Sequence, residues 1–330
     1  MISLQKVHGS QNSFFILDQT VLKQPLTISE LQQLAINITN HASGLLGGSD
    51  GLLVIDQATN ADALAQMKIL NCDGSEALMC GNGLRTVARY LAEKYRETAF
   101  IVQTPQADLQ VKRYPDLAPS VPAFSVEIAP VSFAQADLQF ANFGLSKIIN
   151  QKLPQLNSDL AFTAIAVPNP HLISFVHDIK LAHRELGELG HKLNQANPYF
   201  PAGVNVSFAQ ILGKNRLFVE TYERGVGFTN ACGTGMSATS LAFYLNYPTQ
   251  VQLEQLITVY NPGGVVQTQI HQTESGYWLE LIGNATVTHE IQIPEEQLHQ
   301  ACFNLDQIEI TQTSEQVAYE KFVDNKRVGG

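Results

Sequence analysis

Two short motifs hold the chemistry that this chain can offer. Cys80-Gly81-Asn82-Gly83 and Cys232-Gly233-Thr234-Gly235 share the form Cys-Gly-x-Gly and lie roughly half the chain apart. Each is followed by an apolar stripe at helical spacing: Leu84, Val87, Ala88 and Leu91 after the first, Ala238, Leu241, Ala242 and Leu245 after the second. Each has a polar residue nine positions upstream, Asn71 and Glu223. Glycines before a helix let backbone N–H groups converge on a ligand without side-chain obstruction. A helix N-terminus adds partial positive charge and unsatisfied donors, so each motif is a ready site for a carboxylate. A cysteine placed there gains thiolate character. Two such sites could hold one carboxylate and flank the neighbouring carbon with a sulfur on each face. One thiolate would remove the α-proton, and the other thiol would return a proton to the opposite face. The helix-end donors would stabilise charge building on the carboxylate.

Blander readings compete with this one. A single cysteine before a Gly-rich turn is usually a small packed hydrophobe, but two copies with matched flanks point to chemistry. Neither motif has the Lys-Ser/Thr of a P-loop, and neither completes Gly-x-Gly-x-x-Gly. There is no Cys-x-x-Cys and the histidines lie apart in sequence, so no metal is expected.

Around these motifs stands an ordinary globular composition, 45% hydrophobic over 330 residues, enough for one large or two medium domains. The formal net charge of −10 disfavours nucleic acid and anionic membrane as partners. No apolar run approaches a membrane span and the first residues carry no signal pattern, so a cytoplasmic location is expected. Four cysteines, Cys72, Cys80, Cys232 and Cys302, are too sparse for a disulfide scaffold.

Strands and helices mix throughout. Residues 13–18, 52–56, 99–104, 124–128, 161–167, 171–176, 205–208 and 217–221 read as strands. Residues 29–40 read as a helix capped by Ser29, with Leu31, Leu34, Ala35 and Ile38 as its buried stripe. Residues 114–122, with three prolines, read as a linker, and Pro262-Gly263-Gly264 as a turn. The segment after about 290 reads as an appendage outside the core, with a short helix at 314–322. The duplicated motif divides the chain into two similar halves.

At the motif residues the sequence resembles the diaminopimelate epimerase family. Asn71-Cys72-Asp73-Gly74-Ser75 through Cys80-Gly81-Asn82-Gly83 is similar to one family signature, and Glu223-Arg224-Gly225-Val226-Gly227 through Ala231-Cys232-Gly233-Thr234-Gly235 to the other. Lys6-Val7-His8-Gly9 with Asn12, Asn169-Pro170-His171, and Phe200-Pro201 with Asn205-Val206 resemble further family motifs, in order. The resemblance implies an α/β fold of two pseudo-two-fold-related domains, each a curled sheet around a central helix. It places the first domain at 1–121 plus 277–290, the second at 122–276, and an extension at 291–330. It implies a cofactor-independent isomerase that interconverts LL- and meso-2,6-diaminopimelate on the route to lysine and peptidoglycan; the residues leave open whether it forms a homodimer.

By the same resemblance Cys80 and Cys232 are the acid/base pair, and His171 and Glu223 support their proton chemistry. The N–H groups of Gly81, Asn82, Gly233 and Thr234 hold the reacting carboxylate. Asn12 and Glu223 sit near the reacting ammonium, while Asn71, Asn169, Asn205 and Arg224 bind the distal end, Arg224 suiting a carboxylate. Without the family frame, the asparagines would be turn or cap residues, His171 a structural histidine, and Glu223–Arg224 a solvated charge pair. The chain departs from the family pattern at Ser13, where Asp is common, at Asp50-Gly51, at Pro168 and at Phe228, which leaves room for a shifted substrate preference. The alternatives are a proline, hydroxyproline or histidine racemase of the same fold, a thiol-redox protein using the two cysteines, and a non-catalytic amino-acid binding protein.

Overall fold

Two residues in left-handed backbone open the fold. The computed structural model describes residues 1–77, 79–274 and 276–328, the side chains of 327 and 328 apart. In it Ser10 and Gln11, at φ 54° and 63°, turn β1 (Ile2–Gly9) into β2 (Asn12–Asp18), the conformation that a tight two-residue hairpin requires. After α1 (Ile28–Thr39) come β3 (Gly51–Asp56), β4 (Ala63–Asn71), the two-residue β5 (Glu76–Ala77) and α2 (Gly81–Tyr95). Then follow β6 (Ala99–Gln103), β7 (Asp108–Ala118) and β8 (Val121–Ile128). Pairing runs β1–β2 antiparallel, β2–β3 parallel, β3–β4 antiparallel, β4–β6 parallel, then β6–β7 and β7–β8 antiparallel, with β5 on β4.

The chain then repeats this plan. After α3 (Gln135–Leu138) and β9 (Gln151–Leu153) come β10 (Asn157–Ala166), β11 (Pro170–Val176), α4 (Ile179–Leu193), β12 (Asn205–Gly213), β13 (Arg216–Glu223) and β14 (Gly227–Phe228). They are followed by α5 (Gly233–Asn246), β15 (Ile257–Asn261), β16 (Gly264–Thr273) and β17 (Gly276–Asn284). The pairing is again antiparallel β10–β11, parallel β11–β12, antiparallel β12–β13, parallel β13–β15, then antiparallel β15–β16 and β16–β17, with β14 on β13. The chain forms two compact units, residues 1–126 with 283–330, and residues 127–282. In the first, β18 (Thr286–Ile293) returns to pair with β1, α6 (Glu295–Gln300) follows, β19 (Glu309–Gln312) adds to β18, and α7 (Glu315–Val328) ends the chain.

Each unit curls its strands about one helix. α2 touches β1, β2, β3, β4 and β7, and α5 touches β10, β11, β12, β13, β15 and β16. The predicted stripe Leu84, Val87, Ala88 and Leu91 is fully buried, each Leu or Val contributing roughly 1.5–3 kcal/mol. α5 is buried on every side through Phe243, including Ser237, Thr239 and Ser240. Their hydroxyls bond back to the carbonyls of Gly233, Gly235 and Met236, so burying them leaves no donor unmet.

Three local expectations change. The cap of α1 is Thr27 and not Ser29: Thr27 Oγ1 accepts from Glu30 N–H at 3.3 Å, and the Glu30 carboxylate takes Thr27 N–H at 2.7 Å, a reciprocal capping box. Residues 114–122 are no linker but the tip of the β7–β8 hairpin. The register slips between Tyr114 and Ala118, so Pro115 sits in an irregularity that needs no N–H from it. The tail is not set apart from the core. Tyr319 is 0% exposed, and Phe322, Val323 and Leu298 are buried.

Candidate active site

Both cysteines stand where the sequence placed them, one residue before a buried helix. Cys80 is the N-cap of α2, and its sulfur accepts the Gly83 N–H at 3.3 Å. Cys232 is the N-cap of α5, and its sulfur accepts the Gly235 N–H at 3.4 Å. The last glycine of each motif is required by close approach. A Cβ on Gly83 would lie 2.8 Å from Leu53, and one on Gly235 would lie 3.0 Å from Thr221 Oγ1 and 3.1 Å from the Cys232 sulfur. The N–H groups of Gly81, Asn82, Gly233 and Thr234 belong to the first turn, where no intrahelical acceptor exists.

In the first unit, Asn12 opens β2 beside Cys80. Its Oδ1 is 3.7 Å from the sulfur and accepts from Asn82 Nδ2 at 3.2 Å. Its Nδ2 donates to Asp50 at 2.9 Å, and Asp50 also takes the Ser13 N–H at 2.7 Å. Asp50 therefore supplies a carboxylate next to the position where family members commonly carry one and this chain has Ser13. Asn71 closes β4, opposite Gly51, and donates to Ser75 Oγ at 3.0 Å.

In the second unit, parallel pairing sets His171 against Asn205. His171 Nε2 lies 3.1 Å from Thr234 Oγ1 and 3.3 Å from Asn169 Oδ1, and Thr234 Oγ1 lies 3.6 Å from the Cys232 sulfur. Asn169 donates to the same hydroxyl at 3.2 Å. Asn205 accepts the Arg224 N–H at 2.8 Å, and the Arg224 guanidinium donates to Ala202 O at 3.1 Å. Glu223 accepts from the Thr229 hydroxyl. The Phe228 departure is a packing residue, stacked on His183 at 4.3 Å and edge-on to Tyr222 at 5.5 Å. Asp50 and Thr229 were not named as site residues from the sequence; each acts through the position it holds, which spacing does not reveal.

The electrostatics correct one expectation. Burial pushes the Cys232 thiol well above its ordinary pKa, the negative charge of Glu223 adds to this, and the hydrogen bonds from Thr234 and Gly235 do not offset it. Cys232 is thus a thiol at neutral pH, because burial and a carboxylate outweigh the helix N-terminus. Burial, helped by the Arg224 charge, drops His171 to about 3, so it is neutral. Among the described residues no group of three or more His, Cys, Asp or Glu is placed to hold a metal.

The fold is shared with proteins of known structure. A Bacillus anthracis phenazine biosynthesis protein of the PhzF family superposes with a TM-score of 0.62 at 13% identity, covering 88% of this chain and 97% of that one. A probable proline racemase from Agrobacterium radiobacter does so at 0.60 and 15% identity, covering 92% and 97%. These likenesses define the fold: a duplicated α/β architecture shared with those two structures. The family model described as diaminopimelate epimerase matches residues 4–122 and 163–288. An Enterococcus faecalis protein named diaminopimelate epimerase is 50% identical over 323 residues, 98% of each chain. The chain belongs to the diaminopimelate epimerase family.

The other two cysteines lie outside both half-sites. Cys72 is exposed, with its thiol donating to Ser49 O at 3.2 Å, and Cys302 is exposed in the tail. C72A and C302A are expected to keep kcat and KM within about twofold, as surface changes usually do. Loss of activity in folded C72A would remove Cys80 from its place as the acting cysteine of the first motif.

Proposed function

We propose that this chain interconverts LL- and meso-2,6-diaminopimelate by moving one α-proton between two cysteines, without metal or pyridoxal phosphate. The observation that carries the reading is the duplicated N-capping cysteine, in a chain of this family. In the proposed cycle the Cys80 thiolate removes the α-proton, and the carbanion is held by the helix-end N–H groups of Gly81, Asn82, Gly233 and Thr234 on its carboxylate. The Cys232 thiol then delivers a proton to the opposite face. The reverse direction exchanges the roles. The high pKa of Cys232 supports this division, since an acid must carry its proton at working pH. Neutral His171, through Thr234, orients the second sulfur, and Glu223 disfavours a second negative charge beside it.

Asn12 and Glu223 serve the reacting ammonium in this reading, and Asn71, Asn169, Asn205 and Arg224 the distal amino-acid end. Arg224 favours a substrate with a second carboxylate. The product would feed lysine and peptidoglycan precursors in the cytoplasm. Every residue given a role lies in one chain, so the reading holds for a monomer and a homodimer alike.

The test is a substrate panel of reduced protein with diaminopimelate, proline, trans-4-hydroxyproline and histidine. Epimerisation of diaminopimelate alone is the expected outcome. R224Q is expected to lower kcat/KM by about 10²-fold, since a hydrogen bond to a charged group is worth roughly 1.5–3 kcal/mol. Turnover of an amino acid lacking a second carboxylate, with diaminopimelate untouched, would replace this substrate.

A further inference from the structure

Arg85 is among the largest fully buried side chains of the described residues. It lies on α2 a little more than one turn beyond Cys80. Its Nε donates to Asn284 O at 3.2 Å and its Nη2 to Ser10 Oγ at 3.5 Å, while Nη1 has no hydrogen-bond partner among the described residues. No carboxylate of the described residues pairs with it. The strands around it leave room for the guanidinium. A Cβ on Gly9 would meet Nη2 at 2.8 Å, and one on Gly283 would meet Cζ at 3.0 Å. A buried cation without an acid is costly, and only a specific use explains keeping it.

The C-terminal helix closes over this cation. Glu315 at the start of α7 grips Arg89, one turn further along α2, with both oxygens at 2.5 and 2.7 Å, and accepts Val287 N–H at 2.9 Å. Gln316 bonds His8 at 2.8 Å, and Tyr319 sits edge-on to the His8 ring at 4.9 Å. Asn284 links His8, at 3.3 Å, to the Ser10 N–H, at 2.8 Å. Ser10 lies in the turn that leads to Asn12, whose side chain touches the Cys80 sulfur. α7 is thereby joined to both Arg85 and the backbone that presents Asn12.

Among the described residues the second unit has no fully buried arginine or lysine. The residue five positions after its cysteine is Ser237, which donates to Gly233 O at 2.9 Å. Where the first unit has Asn71 nine positions before its cysteine, the second has Glu223. The repeat is thus broken in charge, positive behind Cys80 and negative beside Cys232.

We infer that Arg85 is a positioning residue for Cys80, and that the C-terminal extension sets its place through Tyr319, so that this buried cation makes Cys80 the proton-accepting member of the pair. The inference rests on the two-cysteine reading above. The groups whose charge bears on the guanidinium are the Tyr319 phenol and the Cys80 thiol. His8 on β1 also faces it, held neutral by burial at about 4, with Glu315 and Glu320 of α7 beyond. Asp50 reaches Cys80 only through Asn12. Desolvation lowers Arg85 itself to about 10, which leaves it charged at neutral pH.

The test measures Cys80 alone and does not require turnover. In a C72S, C302S, C232S background, the rate of iodoacetamide alkylation is followed against pH by mass spectrometry. R85Q is expected to move the midpoint up by about one pH unit, a rate roughly tenfold lower at neutral pH. R85K keeps most of the wild-type behaviour, and Y319F shifts the midpoint in the same direction by less. A structural role would lower the melting temperature without moving the midpoint. An unmoved midpoint in folded R85Q overturns the inference. If R85Q does not fold, an unmoved midpoint in Y319F overturns it instead. A shifted midpoint, with C72S/C302S protein that keeps Cys232 failing to epimerise diaminopimelate, would sustain the role of Arg85 and sink the substrate. An unshifted midpoint, with the protein that keeps Cys232 epimerising it, would sink Arg85 alone.

Discussion

C80S and C232S are each expected to lower epimerisation of diaminopimelate by about 10²–10⁴-fold, the range for losing a positioned acid or base. The fold predicts that this loss is chemical. Each cysteine is a helix N-cap whose sulfur takes one backbone N–H, and serine is among the better capping residues. Each substitution exchanges one atom, sulfur for oxygen, at the half-buried Cys80 or the buried Cys232, and keeps the cap, so melting temperatures are expected to hold within a few degrees. A serine hydroxyl cannot reach the anion at neutral pH, so C80S loses the base. C232S loses an acid matched to the carbanion. Steady-state kinetics beside thermal melts check this. A mutant that stays folded and keeps more than about a tenth of wild-type kcat would show that its cysteine is not in the proton path.

Oxidation is expected to remove activity entirely and reversibly. Two sulfurs that flank one carbon, as the proposed mechanism requires, would lie close enough to be joined. The Cys80 thiolate would attack peroxide, breaking its O–O bond, to give the sulfenic acid and hydroxide. The Cys232 thiol would then displace water from that sulfur to form the disulfide. Cys232 is protonated and buried, so the first oxidation should fall on Cys80. The test uses C72S/C302S protein, to silence the two exposed thiols, and peptide mapping without reductant. A peptide pair joining Cys80 to Cys232, with activity lost and then restored by dithiothreitol, is the expected result. Unchanged activity with both thiols oxidised would separate the cysteines from catalysis.

The cysteine positions were legible because they depend on local rules. Cys-Gly-x-Gly before an apolar stripe specifies a cap and a helix without reference to the rest of the chain, and both helices begin where the motif ends. The duplication was equally plain, and the strand order of the two units repeats it. What failed did so where tertiary context decides. Three prolines looked like a linker, but an irregular hairpin absorbs them. Thr27 won the α1 cap because Glu30 could answer it. Both cysteines were expected to gain thiolate character from their helix ends, and burial with Glu223 reverses this at Cys232. Arg85 and the α7 contacts were invisible, because a charged residue one turn into an amphipathic helix reads as exposed. Only a sheet wrapped around all of α2 puts it inside.

The central claim is the passage of one proton from carbon to sulfur and back from a second sulfur. Incubation of reduced protein with meso-diaminopimelate in D₂O tests it most directly, following deuterium at Cα and the isomer formed. The account predicts deuterium in the LL product with wild type, and collapse of epimerisation in both C80S and C232S. No deuterium entry from folded, reduced wild-type protein, or inversion that survives either substitution, would contradict it.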